Sequence, residues 1–314
     1  MTSMKPVKLC FAIVIVATCL PAQPSSAGNI AYLSATGGGL ACTAAAPCAT
    51  FLDAFASLLP SGGRILCLDP VADTGGFSLS AGNAVFDIDC PAGSWAGSGS
   101  VPVLNIIGPN LTLTFRNMAF DGIGGATSAI KVGKNGSGTL VFENCVFANS
   151  SGDGLDIEPT GALTLVVTNS RVSNNTAGGV VLKPASGGSV TATFNGVTIT
   201  KNAGGLHTDT TNGPVEVDVS DSTISNNADN GIIAIGAAGG TNVVNLNHDV
   251  IASNGQAGIA VSGGNAAVFV DTTLLDSNAT GATSVPSSGQ VYTYKNNRLI
   301  GSVGSGFTAS TTQQ

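Results

Sequence analysis

The sequence predicts an all-β fold in which the chain winds into a parallel solenoid. Apolar anchor residues recur every 24 to 27 residues, each three positions after a small or polar residue. Between anchors, apolar and polar residues alternate, as in residues 215–219, which is typical of strands with one buried face. No helix-length segment separates these strands. Each strand must therefore pair with its equivalent one coil away, which is the defining property of a solenoid.

The anchors define the coils. Their spacings are 27, 25, 27, 25, 27, 24 and 24 residues, a series that chance does not produce. A leucine-rich repeat has a similar length but needs a consensus that is absent here, and a propeller blade needs about 40 residues or more. The anchors are Phe120, Phe147, Val172, Ile199, Ile224, Ile251, Leu275 and Leu299.

A second repeating position follows each anchor by three residues. It is serine in one unit and asparagine in the next five, and a glycine that suits a turn comes shortly after it. A polar side chain repeated once per coil can bond to the backbone and to its copies above and below. We therefore expect an asparagine ladder. The positions are Ser150, Asn175, Asn202, Asn227, Asn254 and Asn278.

The N-terminal segment has the order of a secretory signal peptide. Lys5 and Lys8 precede an apolar run over residues 9–20, and small residues follow up to Ala27. Cleavage after Ala27 is preferred, with Ala22 as the alternative. A lipoprotein attachment at Cys19 fits less well, because threonine precedes that cysteine. The sequence thus predicts an exported protein, with a signal peptide over residues 1–27 and no transmembrane segment.

The rest of the chain divides into three parts. Residues 28–60 form an N-terminal cap segment, in which near-helical apolar spacing over residues 50–59 predicts a short helix, with an ordinary loop as the alternative. Residues 61–307 form the solenoid, and residues 308–314 form a flexible tail. Because both ends of a solenoid need covering, we expect a capped monomer.

Charge and cysteine content limit the partners and the compartment. Removal of residues 1–27 takes away two lysines and no acidic residue, which leaves 18 acidic against 9 basic side chains. A net charge of −9 argues against nucleic acid as a partner. Cys145 is expected to be a buried, inert thiol. In an oxidising compartment two loops could close as disulfides, Cys42 with Cys48 and Cys67 with Cys90.

The repeat units resemble a known family. Residues 142–147 and 167–172, each followed by Asn or Ser and then Gly-Leu or Gly-Val, are similar to the repeats of the pectate-lyase-like superfamily. Residues 41–51 and 294–299 also resemble secreted bacterial β-helix proteins to which no activity is assigned. The resemblance implies a single-stranded right-handed parallel β-helix with an N-terminal cap. It specifies function poorly, because one fold hosts many functions.

Two outward columns of side chains are predicted on the strand that follows each glycine turn. Since coils stack about 4.8 Å apart, the two columns form one patch. It holds most of the ionisable groups that the sequence aligns on one face. The first column is Lys131, Asp156, Val181, His207, Ile233 and Ala260, and the second is Gly133, Glu158, Lys183, Asp209, Ile235 and Ser262.

This patch is the candidate site for an extended extracellular polysaccharide. A lyase or epimerase acting on a uronic acid needs a base, His207 or Lys183, and a cation facing the carboxylate, Lys131 or Lys183. A hydrolase would instead need two carboxyl groups, for which Asp156, Glu158 and Asp209 are available. The candidate catalytic residues are therefore His207, Lys183, Asp156 and Asp209, with Lys131 and Glu158 as substrate-binding residues.

Other features favour a non-catalytic interpretation. The aligned charges can equally be a ladder of ion pairs that keeps an outer face in water, as in a structural or adhesin-like surface protein. Residues 152–157 resemble the first acidic motif of polygalacturonases, but the later motifs of that family and the Asp-Pro-His-Asp motif of alginate epimerases are absent. No cofactor is expected, with calcium left open because Asp153, Asp156 and Glu158 lie close together.

Overall fold

The computed structural model describes residues 29–310, which form a parallel β-solenoid of about 10 turns. The predicted signal peptide lies outside these residues. The elements in chain order are β1 (Ile30–Leu33), α1 (Phe51–Leu58), β2 (Gly62–Cys67), β3 (Ala72–Asp73), β4 (Phe77–Leu79), β5 (Val85–Gly97), β6 (Leu104–Ile106), β7 (Leu111–Asp121), β8 (Ser128–Val132), β9 (Gly138–Glu143), β10 (Val146–Ala148), β11 (Asp153–Ile157), β12 (Ala162–Thr168), β13 (Arg171–Ser173), β14 (Gly178–Leu182), β15 (Ser189–Asn195), β16 (Thr198–Thr200), β17 (Gly204–Asp209), β18 (Val215–Ser220), β19 (Thr223–Ser225), β20 (Ile232–Ile235), β21 (Asn242–Asn247), β22 (Val250–Ala252), β23 (Ala257–Ser262), β24 (Ala266–Asp271), β25 (Leu274–Asp276), β26 (Gly281–Ser284), β27 (Gln290–Thr293), β28 (Arg298–Ile300) and β29 (Ala309–Ser310).

Each regular coil contributes one strand to each of three faces. The nine-stranded face consists of β4, β6, β8, β11, β14, β17, β20, β23 and β26. The long-strand face includes β9, β12, β15, β18, β21, β24 and β27, and the short-strand face includes β10, β13, β16, β19, β22, β25 and β28. The strands β5 and β7 run through the bend between the long-strand and short-strand faces, so these two faces form one continuous sheet.

The predicted register of the anchors is confirmed. Phe120 pairs with Phe147, Phe147 with Val172, and the alignment continues coil by coil to Leu275 with Leu299. The phenylalanines stack inside the solenoid, with ring centroids 5.5 Å apart between Phe120 and Phe147. This stacking is the physical reason for the anchor repeat, since a residue of the same kind in each coil fills the same space.

Two bends per coil explain the recurring small and polar residues. At the bend between a long and a short strand, one residue per coil adopts a positive φ, such as Asn144 (φ 54°) and Asn169 (φ 48°). At the bend after the short strand the same holds for Asn149 and Asn174. Asparagine tolerates this left-handed conformation better than most residues, which accounts for its place three positions before the anchor.

The asparagines expected to form a ladder are buried and bonded to one another. The Asn202 Oδ1 accepts hydrogen bonds from the backbone N of Asn175 (3.1 Å) and from its Nδ2 (3.0 Å). The same pair of bonds links each of the next three neighbours along the stack, up to Asn278. Each Nδ2 also donates to a backbone carbonyl in the coil before it, as Asn227 does to Ile199 (3.3 Å). The amides are thereby satisfied without water.

A second ladder, which the sequence pattern did not indicate, lies at the bend between the long and short strands. Side-chain oxygens there accept hydrogen bonds from backbone N–H groups one coil below. Ser222 Oγ accepts from Val197 (3.0 Å) and Asp249 Oδ1 accepts from Ser222 (2.8 Å). Ser170, Thr273 and Asn297 take the same role in their coils.

The helix α1 packs against the first coils of the solenoid. Thr50 caps the helix by accepting a hydrogen bond from the Asp53 backbone N (3.1 Å), and Phe51 and Phe55 pack on Phe77. The predicted helix is thus present. Parallel pairing nevertheless begins inside the segment expected to be only a cap, because β1 pairs with β2. 

The described cysteines behave as expected. Cys42 is bonded to Cys48 and Cys67 to Cys90, and Cys145 is a buried free thiol. Burial raises the pKa of the Cys145 thiol to about 11, so it stays protonated and unreactive at neutral pH.

The C-terminal end is short and exposed. At the start of the predicted tail, the Thr308 backbone N donates to Val291 O (2.9 Å), and β29 pairs with β27. Residues 311–314 lie outside the described part of the chain. No helix within residues 29–310 is long and apolar enough to cross a membrane.

Candidate functional site

The candidate site lies on the outer surface of the nine-stranded face. Pairing between β8, β11, β14, β17, β20 and β23 places the first predicted column in register, because Asp156 lies between Lys131 and Val181, and His207 between Val181 and Ile233. The neighbouring positions point inward, and their side chains, from Ile130 to Ile259, are buried. The strip of charged residues therefore spans four consecutive coils.

Lys131 connects two carboxylates of the next coil. Its Nζ contacts Asp156 Oδ2 and lies 3.3 Å from Glu158 Oε2. Although burial opposes its charge, the two carboxylates raise the pKa of Lys131. Burial raises the pKa of Asp156, against the lowering effect of Lys131. Lys131 is therefore a fixed cation and is unsuited to accept a proton.

Lys183 and Asp209 form the second ion pair of the strip. Their Nζ and Oδ2 atoms are 3.2 Å apart, and the Asp209 side chain is only 8% exposed. Asp209 also accepts a hydrogen bond from the backbone N of Thr211 (2.8 Å). Burial acts to raise the pKa of Asp209, but its hydrogen bonds with Thr211 and Lys183 outweigh burial and lower it. Asp209 is thus held as an ionised carboxylate that positions Lys183.

His207 lies between these pairs and the apolar end of the face. Its Nε2 is buried and has no hydrogen-bond partner within residues 29–310. Burial lowers the pKa of the imidazole, with Lys183 acting in the same direction and Asp209 in the opposite one. His207 is therefore neutral at pH 7. As a neutral imidazole outside the ion pairs, His207 is the group of the strip best suited to accept a proton, although its Nε2 is closed to a ligand on the outer face.

The structure thus divides the predicted site residues into five that form ion pairs and one, His207, that does not. It brings all six into one strip, but Lys131, Asp156, Glu158, Lys183 and Asp209 satisfy one another as ion pairs. Sequence spacing predicted their alignment. It did not predict that Lys131 reaches two carboxylates at once, because that depends on the side-chain conformations.

Asp153, the first residue of β11, belongs to the possible calcium site that the sequence leaves open. Its Oδ1 accepts a hydrogen bond from the Gly178 backbone N (2.6 Å), and burial raises its pKa to about 6. Within residues 29–310 no group of three or more His, Cys, Asp or Glu side chains is arranged to hold a metal ion. The position between Asp156 and Glu158 that a cation would take is filled by the Lys131 ammonium.

The fold and this outer strip define a parallel β-solenoid with a mixed-charge sheet face. The family described as "Right handed beta helix region" matches residues 105–274 and 164–314, which together cover two thirds of the chain. The chain belongs to this right-handed β-helix family.

Two solved structures are similar to the chain. One is a pectate lyase, Pel9A, at 16% identity and a TM-score of 0.48, covering 91% of this chain and 79% of the other. Another is the A-module of the mannuronan C-5 epimerase AlgE4 of Azotobacter vinelandii, at 13% identity and a TM-score of 0.48, covering 83% of this chain and 96% of the other. None of the curated proteins matches the chain.

Proposed function

We propose that the protein binds an extracellular polysaccharide along the nine-stranded face. One observation carries this proposal: ionisable side chains from four consecutive coils lie in one strip, and the next two coils continue it with Ile233 and Ala260. A strip that passes from hydrogen-bonding groups to apolar ones matches a sugar chain, which offers hydroxyls at its edges and C–H groups on its ring faces. The resemblance of the repeats to the pectate-lyase-like superfamily supports the same partner class.

The strip has the length of a short oligosaccharide. From Lys131 to His207 it crosses three coil intervals of about 4.8 Å each, or about 14 Å. Lys183, with its side chain 44% exposed, is the cation most open to a uronate carboxylate. His207 is the proton acceptor if the bound sugar is also turned over, while Asp209 positions Lys183.

The predicted signal peptide and the two disulfides support a partner outside the cytoplasm. The disulfides Cys42–Cys48 and Cys67–Cys90 form in oxidising compartments. We propose that the protein acts outside the cytoplasm, after loss of residues 1–27, as a monomer that does not bind nucleic acid.

The test measures binding of uronic-acid polymers and neutral polymers to the purified protein, with and without calcium, while the absorbance of an unsaturated uronate product is followed. We expect a uronate polymer to bind, and His207→Ala and Lys183→Ala to weaken binding about tenfold each, the equivalent of about 1.4 kcal/mol. His248→Ala is the matched control, because His248 lies at a bend outside the nine-stranded face and is paired with Asp221. Absence of binding to every polymer would refute the proposal.

Turnover is a separate outcome of the same experiment. If a product forms, His207→Ala should abolish it, and an unchanged rate would place the reacting groups elsewhere. Binding without product would make the protein a polysaccharide-binding module.

A structural role is the competing function. One observation favours it: both lysines of the strip are already paired with carboxylates, as in a face that only needs to stay in water. Such a face predicts that Lys183→Ala changes stability slightly and polymer binding not at all.

A further inference from the structure

A groove lies on the short-strand face, away from the nine-stranded face. Its volume is about 980 Å³. The floor is a column of outward side chains in which Trp95, Ala119 and Val146 come from three successive coils. Trp95 is the one tryptophan of the sequence, and the Val146 residue is 37% exposed. The groove therefore presents an aromatic ring beside a small residue and an open apolar surface.

The indole of Trp95 lies against the backbone of its own strand. A Cβ atom placed on Gly97 would be 2.4 Å from Trp95 Cζ3, so the absence of a side chain at Gly97 makes room for the ring. Ala119, directly beside Trp95 in the sheet, is too small to cover it. This packing leaves the ring half-buried as part of the groove floor.

Amides at the two bends form the rims of the groove. On one rim Asn144 Nδ2 donates to Asn117 Oδ1 (3.2 Å), and on the other Asn149 Nδ2 donates to Asp121 Oδ2 (2.9 Å). In the described part of the chain, these bonds leave the Asn144 Oδ1 and the Asn117 Nδ2 without a partner.

Charge is nearly absent from the groove. Asp121 is its one charged residue, and both of its carboxylate oxygens accept hydrogen bonds, from Asn149 and from the Ile123 backbone N (2.8 Å). An anionic ligand would therefore find no ion-pair partner in the groove lining, and a cationic ligand would find only Asp121, whose oxygens already accept hydrogen bonds. The chemistry matches a neutral ligand that has an apolar ring face and hydroxyls at its edges.

We propose that this groove binds a neutral glycan, with a pyranose ring stacked on Trp95 and its hydroxyls bonded to the rim amides. The floor from Trp95 to Val146 spans two coil intervals, about 10 Å, which is the length of a disaccharide unit. Aromatic rings supply large apolar contact with little loss of side-chain freedom, and indole is the largest of them. This site is independent of the nine-stranded face and does not require that face to bind an acidic polymer.

The test follows the fluorescence of Trp95 while cellohexaose, xylohexaose, maltohexaose and mannohexaose are added one at a time. We expect a saturable change with at least one of them. Ala119→Leu keeps the fluorophore but fills the floor beside it, and we expect it to weaken binding at least tenfold. Val250→Leu enlarges an outward residue of the same face, five coils from Ala119, and should bind like wild type. Trp95→Ala, measured by calorimetry, should not bind.

The outcomes separate this proposal from the others. No saturable change with any of the four sugars overturns it, and so does an Ala119→Leu variant that binds like wild type. If Trp95 fluorescence instead depends on protein concentration, and Ala119→Leu abolishes that dependence, the groove is a contact between two copies of the chain. Binding of uronate polymers by Ala119→Leu should equal that of wild type, so failure at one site is distinguishable from failure at the other.

Discussion

At the residue scale, single amides of the asparagine ladder make large contributions to the free energy of unfolding. Asn227 donates to Ile199 and Asn254, and its Oδ1 accepts from both the backbone and the side chain of Asn202. Because the neighbouring partners are buried, removal of this amide leaves them unsatisfied, which costs more than one lost hydrogen bond. Each amide of the ladder therefore satisfies hydrogen-bonding groups in the coils on both sides of it.

We expect Asn227→Ala to lower the free energy of unfolding by about 3 kcal/mol, since several buried partners lose their bonds at once. Urea denaturation measures this value. The control is Asn245→Ala, which removes an exposed amide bonded to Asp218 and should change it by less than about 0.5 kcal/mol. Equal effects of the two substitutions would show that a buried ladder amide contributes no more to the free energy of unfolding than an exposed one.

Asp249 makes stability depend on pH. It is 2% exposed, and burial raises its pKa to about 7, although hydrogen bonds from Ser222 and Asn247 act against this. The charge of Asp221 also raises the pKa of Asp249, and His248 lowers it. The folded state therefore holds the Asp249 proton more tightly than the unfolded state does, and stability should fall as pH rises from about 4 to about 7. Asp153 acts in the same direction.

Asp249→Ser tests this dependence. Serine already fills the same ladder position in the coil of Ser222, where Oγ accepts from Val197 and donates to the Ser220 carbonyl. We expect the variant to gain unfolding free energy at pH 8 relative to wild type and to show a flatter profile between pH 5 and pH 8 in thermal melts. A variant profile as steep as that of wild type would mean that Asp249 does not titrate there.

At the element scale, the helix α1 packs one face against the core of the first coils, where we expect it to act as a cap. Phe55 is buried and its ring packs edge-on against Phe86, with centroids 4.9 Å apart, whereas Leu52 on the same helix is 54% exposed. The helix therefore contributes through one face only, and the open strands beneath it depend on that face for cover.

We expect Phe55→Ala to destabilise the protein by about 4 kcal/mol through the cavity it leaves. It should also increase binding of a dye specific for exposed apolar surface. Leu52→Ala on the exposed face should change neither quantity appreciably. If both variants unfold like wild type, α1 is not an essential cap.

Sequence alone could predict those features of the fold that repeat with the same residue type in each coil. The anchors and the asparagine ladder recur with one residue type per coil, so spacing revealed them. The ladder of Ser222 and Asp249 uses serine, aspartate, threonine or asparagine in different coils, so residue identity alone does not mark it. The sequence also did not predict the groove at Trp95, because the groove depends on how the 13-residue strand β5 bends. The sequence predicted the alignment of the charged strip and a ladder of ion pairs as one interpretation of it, but not that Lys131 contacts Glu158 as well as Asp156.

At the scale of the whole molecule, the solenoid is a rod with three outer faces and two ends. The N-terminal end has a helix over it, and the C-terminal end finishes with the short strands β28 and β29. We expect a monomer at all concentrations up to those used for binding, as measured by sedimentation velocity. A dimer that dissociates in Phe55→Ala or Ala119→Leu would instead locate an interface at the helix or at the groove.

The claim that the nine-stranded face binds polysaccharide is tested most directly by magnetic resonance of the two histidines. The chain has only His207 and His248, one on that face and one at a bend outside it, so each imidazole reports on its own surroundings. On titration with short uronate oligosaccharides, the His207 ring signals should shift with saturation while those of His248 stay in place. Shifts confined to His248, or none at either ring, would contradict the claim.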